Sequence, residues 1–460
     1  MSVSKLAVWS ERLVTSEKVT PGGVLSEDGT IKTVVFNKSD IPEDYTLEDQ
    51  KNLVVMPAML DPHVHINEPG RTDWEGFVTG TKAACAGGVA CIVDMPLNCD
   101  PVTISEQALQ VKLESLKDKL WVDCGFWGGL VPENLDSLSS FLSSGILGIK
   151  CFLTDSGLKD FPKVQKSHLE YAMPIIAKSG LPLLVHAELE SCIGSSTNKQ
   201  MYQYSDYLKS RPDQWEFDAI EMLVSLAKKT ACRTHIVHLS SSTCLPLIEK
   251  AKNEGVPITV ETCPHYLHLT SELIGCGDTR FKCAPPIRSR RNRDNLWKGL
   301  LAGTIDFIAS DHSPCVPELK YMREGQFQKA WGGISSIQLS LPIVWTELRK
   351  KNLPLTHLVN WLCKNPAQFI GVSGQKGNLS PGADMDLMVW DPDESFTVST
   401  KDLFMKNKIS PYINNELYGI IKACYLRGQK TFSHGACSPE AMGRKLLRQE
   451  QKYKQQQLEA

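Results

Sequence analysis

The chain predicts an α/β protein: a (β/α)8 barrel of the TIM type, with a small β-sandwich domain built from both chain ends. Three observations carry that expectation. Strand-like apolar runs alternate with helix-like segments through the middle of the chain, and eight such units within about 250 residues are what a (β/α)8 barrel needs. Short strand-like stretches stand at both ends, each with too few apolar positions to make a core alone. No Gly-x-Gly-x-x-Gly follows the first middle strand. That removes the fingerprint of the rival fold, a doubly wound dinucleotide-binding sheet.

Residues 1–56 read as short strands. The stretches 23–26 and 31–36 flank Asp28-Gly29, a hairpin turn signal. Near the other end, 386–390 and 420–426 are also strand-like. The expected small β domain is therefore composite, 1–56 with 374–440, and brings the two ends together. The barrel is expected over 57–373, with strands at 56–66, 90–95, 121–127, 148–152, 182–186, 234–239, 257–261 and 306–310. Between them, Ser167-His168-Leu169-Glu170 has the pattern of a capping box. Ile220, Leu223, Val224 and Ala227 form an i, i+3, i+4, i+7 apolar stripe. Gly255 stands where a helix over 245–254 would take a left-handed cap. Residues 441–460 are expected to be a polar tail, charged and Gln-rich from Arg444 on, frayed or disordered.

Composition excludes several function classes. The 460 residues are 42% hydrophobic and 22% charged, ordinary for a globular protein. With 50 basic and 52 acidic side chains the net charge is −2, which gives no electrostatic case for nucleic acid or an anionic membrane. The first residues lack the apolar core of a signal peptide, and no apolar run reaches spanning length. The C-terminal Leu458-Glu459-Ala460 is not a peroxisomal Ser-Lys-Leu type signal. The expectation is a soluble intracellular protein, in the cytoplasm or in an organelle such as the mitochondrion or peroxisome, not secreted. Fifteen cysteines are scattered with no Cys-x-x-Cys pair, as expected of reduced core residues; Cys283 and Cys315 flank expected site residues.

Polar residues that bind metals recur at the ends of the expected barrel strands. Asp61-Pro62-His63-Val64-His65 closes the first. Two histidines at i and i+2 point to one face and can share a metal ion. Lys150 lies in the fourth, His186 ends the fifth, His238 ends the sixth and Asp311 follows the eighth. A lone strand-end histidine is more often a hydrogen-bonded core residue, and an aspartate after a strand is more often a helix cap. Five coincidences in one register outweigh those readings, because barrel strand ends face one mouth where active sites are built. His168, His268, His357 and His434 lie off the strand ends. His235 is expected to face away, and His265 and His312 neighbour the site.

Lys150 is the anomaly. A buried ammonium is costly, and beside a divalent cation it is worse. Carboxylation by CO2 turns it into an anionic carbamate (N6-carboxylysine) able to bridge two ions. Four histidines, an aspartate and that carbamate make a binuclear site, whose two divalent metals share a hydroxide made nucleophilic at neutral pH. Zinc is the first expectation for mixed N/O donors, with cobalt, manganese or iron also compatible.

These residues resemble the cyclic amidohydrolases of the amidohydrolase superfamily, metal-dependent (β/α)8 TIM-type barrels. The shared motifs are Asp61-Pro62-His63-Val64-His65, Gly148-Ile149-Lys150-Cys151-Phe152, the two later histidines and Ser310-Asp311-His312-Ser313. The resemblance covers nearly the whole chain, including the split β domain. Within that group the allantoinases are the most similar. The stretches that carry this are Glu68-Pro69-Gly70-Arg71, Trp74-Glu75-Gly76, Met95-Pro96-Leu97-Asn98, Glu261-Thr262-Cys263-Pro264-His265-Tyr266, Lys282-Cys283-Ala284-Pro285-Pro286-Ile287-Arg288 and Lys329-Ala330-Trp331-Gly332-Gly333. The resemblance implies that His63, His65 and Asp311 hold one metal, that His186 and His238 hold the other, and that carboxylated Lys150 bridges them. Asp311 would also be the catalytic base and acid. Asn98 and groups around Cys283 and Pro285 would orient a ring, and a homotetramer is expected.

The substrate is read from the residues past the second histidine. Dihydroorotases of this type carry an arginine two residues on, to pair a carboxylate. Asn67 stands there instead, which favours a neutral ring. Arg71, four residues further, is the other candidate contact. A cyclic ureide fits, and allantoin opened to allantoate, a step of purine degradation, is the expected reaction. The alternatives are a dihydropyrimidinase or hydantoinase type of ring opening, and a non-catalytic assembly protein of the same fold.

Overall fold

A computed structural model describes residues 4–190 and 200–448. The apolar run 56–66 serves two sheets. Val54–Pro57 pairs antiparallel with Leu387–Thr397, and Met59–Val64 pairs parallel with Val89–Asp94. Between them the Ala58 N–H goes to Asp386 O at 2.9 Å, and the Met59 N–H to Gly88 O at 2.9 Å. A continuous buried run cannot signal such a crossover by its pattern, because both halves bury both faces.

The barrel strands are Met59–Val64, Val89–Asp94, Asp123–Phe126, Ile149–Phe152, Leu183–His186, Thr234–Ile236, Ile258–Thr262 and Phe307–Ile308. Paired neighbours are parallel. The third and fourth are joined by Leu147 N–H to Phe126 O, 3.0 Å, and Gly128 N–H to Gly148 O, 2.9 Å. The ring closes where Val64 bridges His312. Asp61, buried in the first strand, accepts there from Ser310 N at 3.1 Å. Leu60, Val93, Trp127, Leu184, Val237 and Phe307 belong to one interior cluster.

Local signals mostly behave as expected. Asp28 and Gly29 adopt left-handed φ values of 49° and 79° and close the hairpin between Val19–Glu27 and Thr30–Val35. Ile220, Leu223 and Ala227 are buried in the helix Asp213–Thr230, with Val224 half-buried. Gly255 takes φ 74° after the helix Leu245–Asn253. The capping box is misplaced: the helix begins at Lys166 after the extended Gln165, whose N–H goes to His168 Nδ1 at 3.1 Å. Ser167 is already inside the first turn and has the wrong backbone for a cap.

Strands from both ends join one nine-stranded sheet. A buried charge cluster ties it to the barrel: Lys376 Nζ lies 2.7 Å from Asp123, 2.9 Å from Asp384 and 2.6 Å from Asp386. Residues 441–448, expected in the tail, dock instead. Lys445–Leu446 pairs parallel with Asp123–Phe126, and Arg444 N donates to Asp123 Oδ1 at 2.8 Å. Gly443 permits this, since a Cβ there would meet Val122 O at 2.1 Å. The remainder of the expected tail, from 449, lies outside the described residues. Among the described residues, no helix is long and apolar enough to cross a membrane.

Candidate active site at the barrel mouth

The six predicted strand-end residues come together. His63 and His65 have ring centroids 5.7 Å apart, and their Nε2 atoms lie 3.2 and 3.5 Å from Asp311 Oδ1. Across the mouth, His186 Nδ1 is 2.9 Å from His238 Nε2. The His63 and His238 rings, 5.3 Å apart, connect the two groups. Lys150 pairs in register with Leu184, two residues before His186, so strand alternation puts all three on the inner face. All six residues are buried. Burial lowers the Lys150 ammonium to about 8, against the attraction of Glu261 and Asp311. Among the described residues it forms no ion pair.

The loops that carry these groups are strained. His238 and Asp311 have φ of 38° and 46°, and Asn67 and Asn98 both 65°. Such values are uncommon for non-glycine residues, though Asn, Asp and His adopt them most readily. For His238 the restraint is its own N–H, donated to Glu261 Oε1 at 3.2 Å.

Two buried carboxylates without an assigned role organise the histidines. Glu261 contacts His63 Nδ1 through Oε1 and His235 Nε2 through Oε2, the latter at 3.1 Å. Glu188 accepts from His186 Nε2 at 2.7 Å and is gripped by Arg211 Nε at 2.9 Å and Nη2 at 2.5 Å. Burial raises both carboxyls. His63 and His235 beside Glu261, and Arg211 and His186 beside Glu188, outweigh it and hold both well below the usual carboxylate range. With each carboxylate taking the outer ring N–H, the inner nitrogen of His63 and of His186 is unprotonated and faces the mouth. His65 Nδ1 lies 3.1 Å from the Asn98 amide. Rotating that amide puts Oδ1 there to accept Nδ1–H, with the same result for His65 Nε2.

The donor set fits a divalent cation. Ligand atoms of His63, His238 and Asp311 all lie within 4.8 Å of one another, and a second such group is Cys263, His265 and Asp311. His238 Nδ1 and both ring nitrogens of His265 are buried without a hydrogen-bond partner.

The histidines opened a question that geometry answers unevenly. His235 does not point into the mouth, yet through Glu261 it braces His63. His312 accepts from Ser336 N at 3.1 Å, while its main-chain O receives the His65 N–H at 2.8 Å. Glu188 stands at i+2 from His186, so period two would have found it. Glu261 ends the seventh strand, the position already singled out in five others. Arg211 is remote from both in sequence and had no such signal.

The mouth opens into a cleft of about 960 Å³ whose walls include Asn98, Ala284, Lys282 and Trp331. Asn67, Arg71, Cys283 and Pro285, expected as substrate contacts, are not among its lining residues. The Asn67 amide N–H instead goes to Asn98 O at 3.1 Å. Arg71 lies over Trp74, 5.3 Å from the ring, and Trp74 packs edge-on against Trp331 at 4.8 Å. The Cys283 and Pro285 carbonyls accept from the Tyr207 and Tyr266 hydroxyls, at 2.7 and 2.6 Å. These four residues support the wall rather than form it.

Glu261→Gln is expected to weaken metal binding by about 10- to 100-fold, the usual effect of losing an outer partner of a ligating histidine. Chelator competition measures it, with circular dichroism as the control for folding. Unchanged affinity would contradict the orienting role.

Comparison with known proteins places this geometry in context. The Amidohydrolase family matches residues 54–429. A probable allantoinase of Oryza sativa is 43% identical, covering 95% of this chain and 90% of that one. An allantoinase of Streptomyces avermitilis is 42% identical, covering 98% and 100%. The solved structure of an L-hydantoinase (dihydropyrimidinase) from Arthrobacter aurescens superposes with a TM-score of 0.89 at 29% identity, covering 96% of this chain and 99% of that one.

Proposed function

The chain belongs to the amidohydrolase family, and we infer that it is a metal-dependent hydrolase that cleaves a cyclic amide C–N bond, opening the hydantoin ring of allantoin to give allantoate. The observation that carries this is the Asp311 carboxylate held between His63 and His65 on the floor of the cleft. The allantoinase relatives, above 40% identical over nearly the full chain, support the choice of substrate.

In this reading His63, His65 and Asp311 would hold one ion and His186 and His238 a second, with the Lys150 carbamate as a further anionic ligand. Zinc is the first choice for such donors. When bound, the pair lowers the pKa of water and polarises the amide carbonyl. Asp311 takes the proton of the attacking water and returns it to the ring nitrogen as the C–N bond breaks. Glu261 and Glu188 keep the imidazoles in the required tautomer. Asn98 offers an amide to the ring, and Trp331 walls the cleft. A homotetramer belongs to the same reading on the family resemblance, and a cytoplasmic or organellar location is proposed with it.

The test is a panel of allantoin, hydantoin, dihydrouracil and dihydroorotate on metal-replete protein. Allantoin should lead in kcat/KM by about tenfold or more. Preference for hydantoin or dihydrouracil would favour the reading that the Arthrobacter structure suggests. No turnover of any of them would point to a non-catalytic protein.

A further inference from the structure

Cys85 and Cys437 are 352 positions apart in sequence, yet their sulfurs lie 3.6 Å apart. Cys85 is buried at the end of the helix Phe77–Ala86, which follows the first barrel strand. Cys437 is half-buried on Ala436–Cys437, the last strand of the nine-stranded sheet. Both thiols lean on the same carbonyl, Lys82 O, at 3.2 Å from Cys85 Sγ and 3.7 Å from Cys437 Sγ. Cys85 Sγ also reaches Thr431 O at 3.7 Å. Among the described residues this is the one pair of thiols in mutual contact. Cys276 is exposed and has no other described sulfur beside it, and the remaining eleven described cysteines are buried.

We propose that Cys437 and Cys85 form a peroxide-oxidisable dithiol, in which Cys437 is attacked first and Cys85 resolves it to a disulfide joining the sheet to the barrel. The geometry has the two parts such chemistry needs: a half-buried cysteine on the last strand, and a second sulfur beside it within reach. The S–H of Cys85 and the Lys82 ammonium also favour the Cys437 thiolate, holding that thiol below its usual range. Burial does the opposite elsewhere, pushing Cys151 and Cys283 up to about 12 and Cys315 to about 11.

The steps balance with a hydroperoxide as oxidant. The Cys437 thiolate attacks the peroxide oxygen, an S–O bond forms, the O–O bond breaks, and the departing hydroxide is protonated to water. The Cys85 sulfur then attacks the sulfenic sulfur. The S–S bond forms, the S–O bond breaks, and hydroxide leaves as water with the Cys85 proton. Two thiols lose two electrons and hydrogen peroxide becomes two waters. The product would staple the last strand to a helix whose first N–H, of Phe77, is held by Glu68 Oε2 at 2.9 Å, just past the histidine pair.

The experiment uses the full-length, metal-loaded protein. One equivalent of hydrogen peroxide is added, free thiols are alkylated, and unreduced peptides are mapped by mass spectrometry. A Cys85–Cys437 cross-link lighter by two hydrogens, released by dithiothreitol, is the expected result. Cys437→Ser should consume peroxide at least about tenfold more slowly, and Cys85→Ser should leave a sulfenic acid on Cys437 that dimedone captures. Alkylation of both residues in the wild type while oxidation falls on Cys276 or any other cysteine would overturn the proposal, whatever the variants do.

Discussion

Lys150→Ala is expected to lose bound metal and to lower turnover by roughly 10³-fold or more, the scale of losing the activated nucleophile. Lys150 is 1% exposed and shares the inner barrel face with His186. The Phe152 ring, 5.1 Å from its Nζ, stacks on His186 at 4.5 Å. An ammonium kept there would repel any dication the histidines gather. Carboxylation reverses the sign: the amine nitrogen bonds to the CO2 carbon, a proton leaves, and a monoanion with two oxygen donors remains. Alanine removes the donors and leaves a gap of lysine shape. A short-chain carboxylic acid should enter it and restore part of both metal content and activity. Elemental analysis and turnover, with and without the acid, read the result. A metal-replete, fully active unrescued variant would sink the carbamate.

Asp311→Asn should lower kcat by about 10²- to 10⁴-fold, the range for loss of a general acid–base group. The amide keeps the size and one oxygen, so the contact with His63 Nε2 at 3.2 Å is the least disturbed that a substitution allows. What it removes is the ability to accept a proton and return it. If Asp311 acts in the transition state, KM for allantoin should move little while kcat falls. Metal content is measured on the same sample, because Asp311 is also a proposed ligand. Near-normal kcat with metal retained would end the proton-shuttle role.

Several particular features were legible without coordinates. The His63–His65 spacing, the Asp28-Gly29 turn and Gly255 all depend on backbone conformation over a few residues, which local sequence controls. Glu188 was equally legible through its two-residue spacing from His186, and Glu261 through its strand-end position. The Ala58 crossover was not, since either side of it is a buried strand. The docking of Lys445–Leu446 was not either. Composition marked that segment as polar, and its partner strand is more than 300 residues earlier in the chain.

The substrate wall shows the same division. Asn67, Arg71, Cys283 and Pro285 lie in motifs of the right family, yet the cleft is lined by Asn98, Ala284, Lys282 and Trp331. Motif membership places a segment near the site; which side chain faces the cavity depends on loop conformation. Asn67 is left-handed, and the Tyr207 and Tyr266 hydroxyls that occupy the Cys283 and Pro285 carbonyls come from other segments.

By itself, then, the amino-acid order determined the barrel, the strand ends that carry donors and the face on which each donor lies. Period-two alternation and turn chemistry are short-range physics. Only the tertiary structure decided how those donors are oriented, because the orienting partners arrive from distant strands and loops. Glu261 reaches His63 across 198 residues of chain. Arg211 reaches Glu188 from beyond the end of the fifth strand, and Asp61 closes the ring on Ser310 across 249. Contacts at such separations are set by how the sheet curls shut, and no local pattern encodes that.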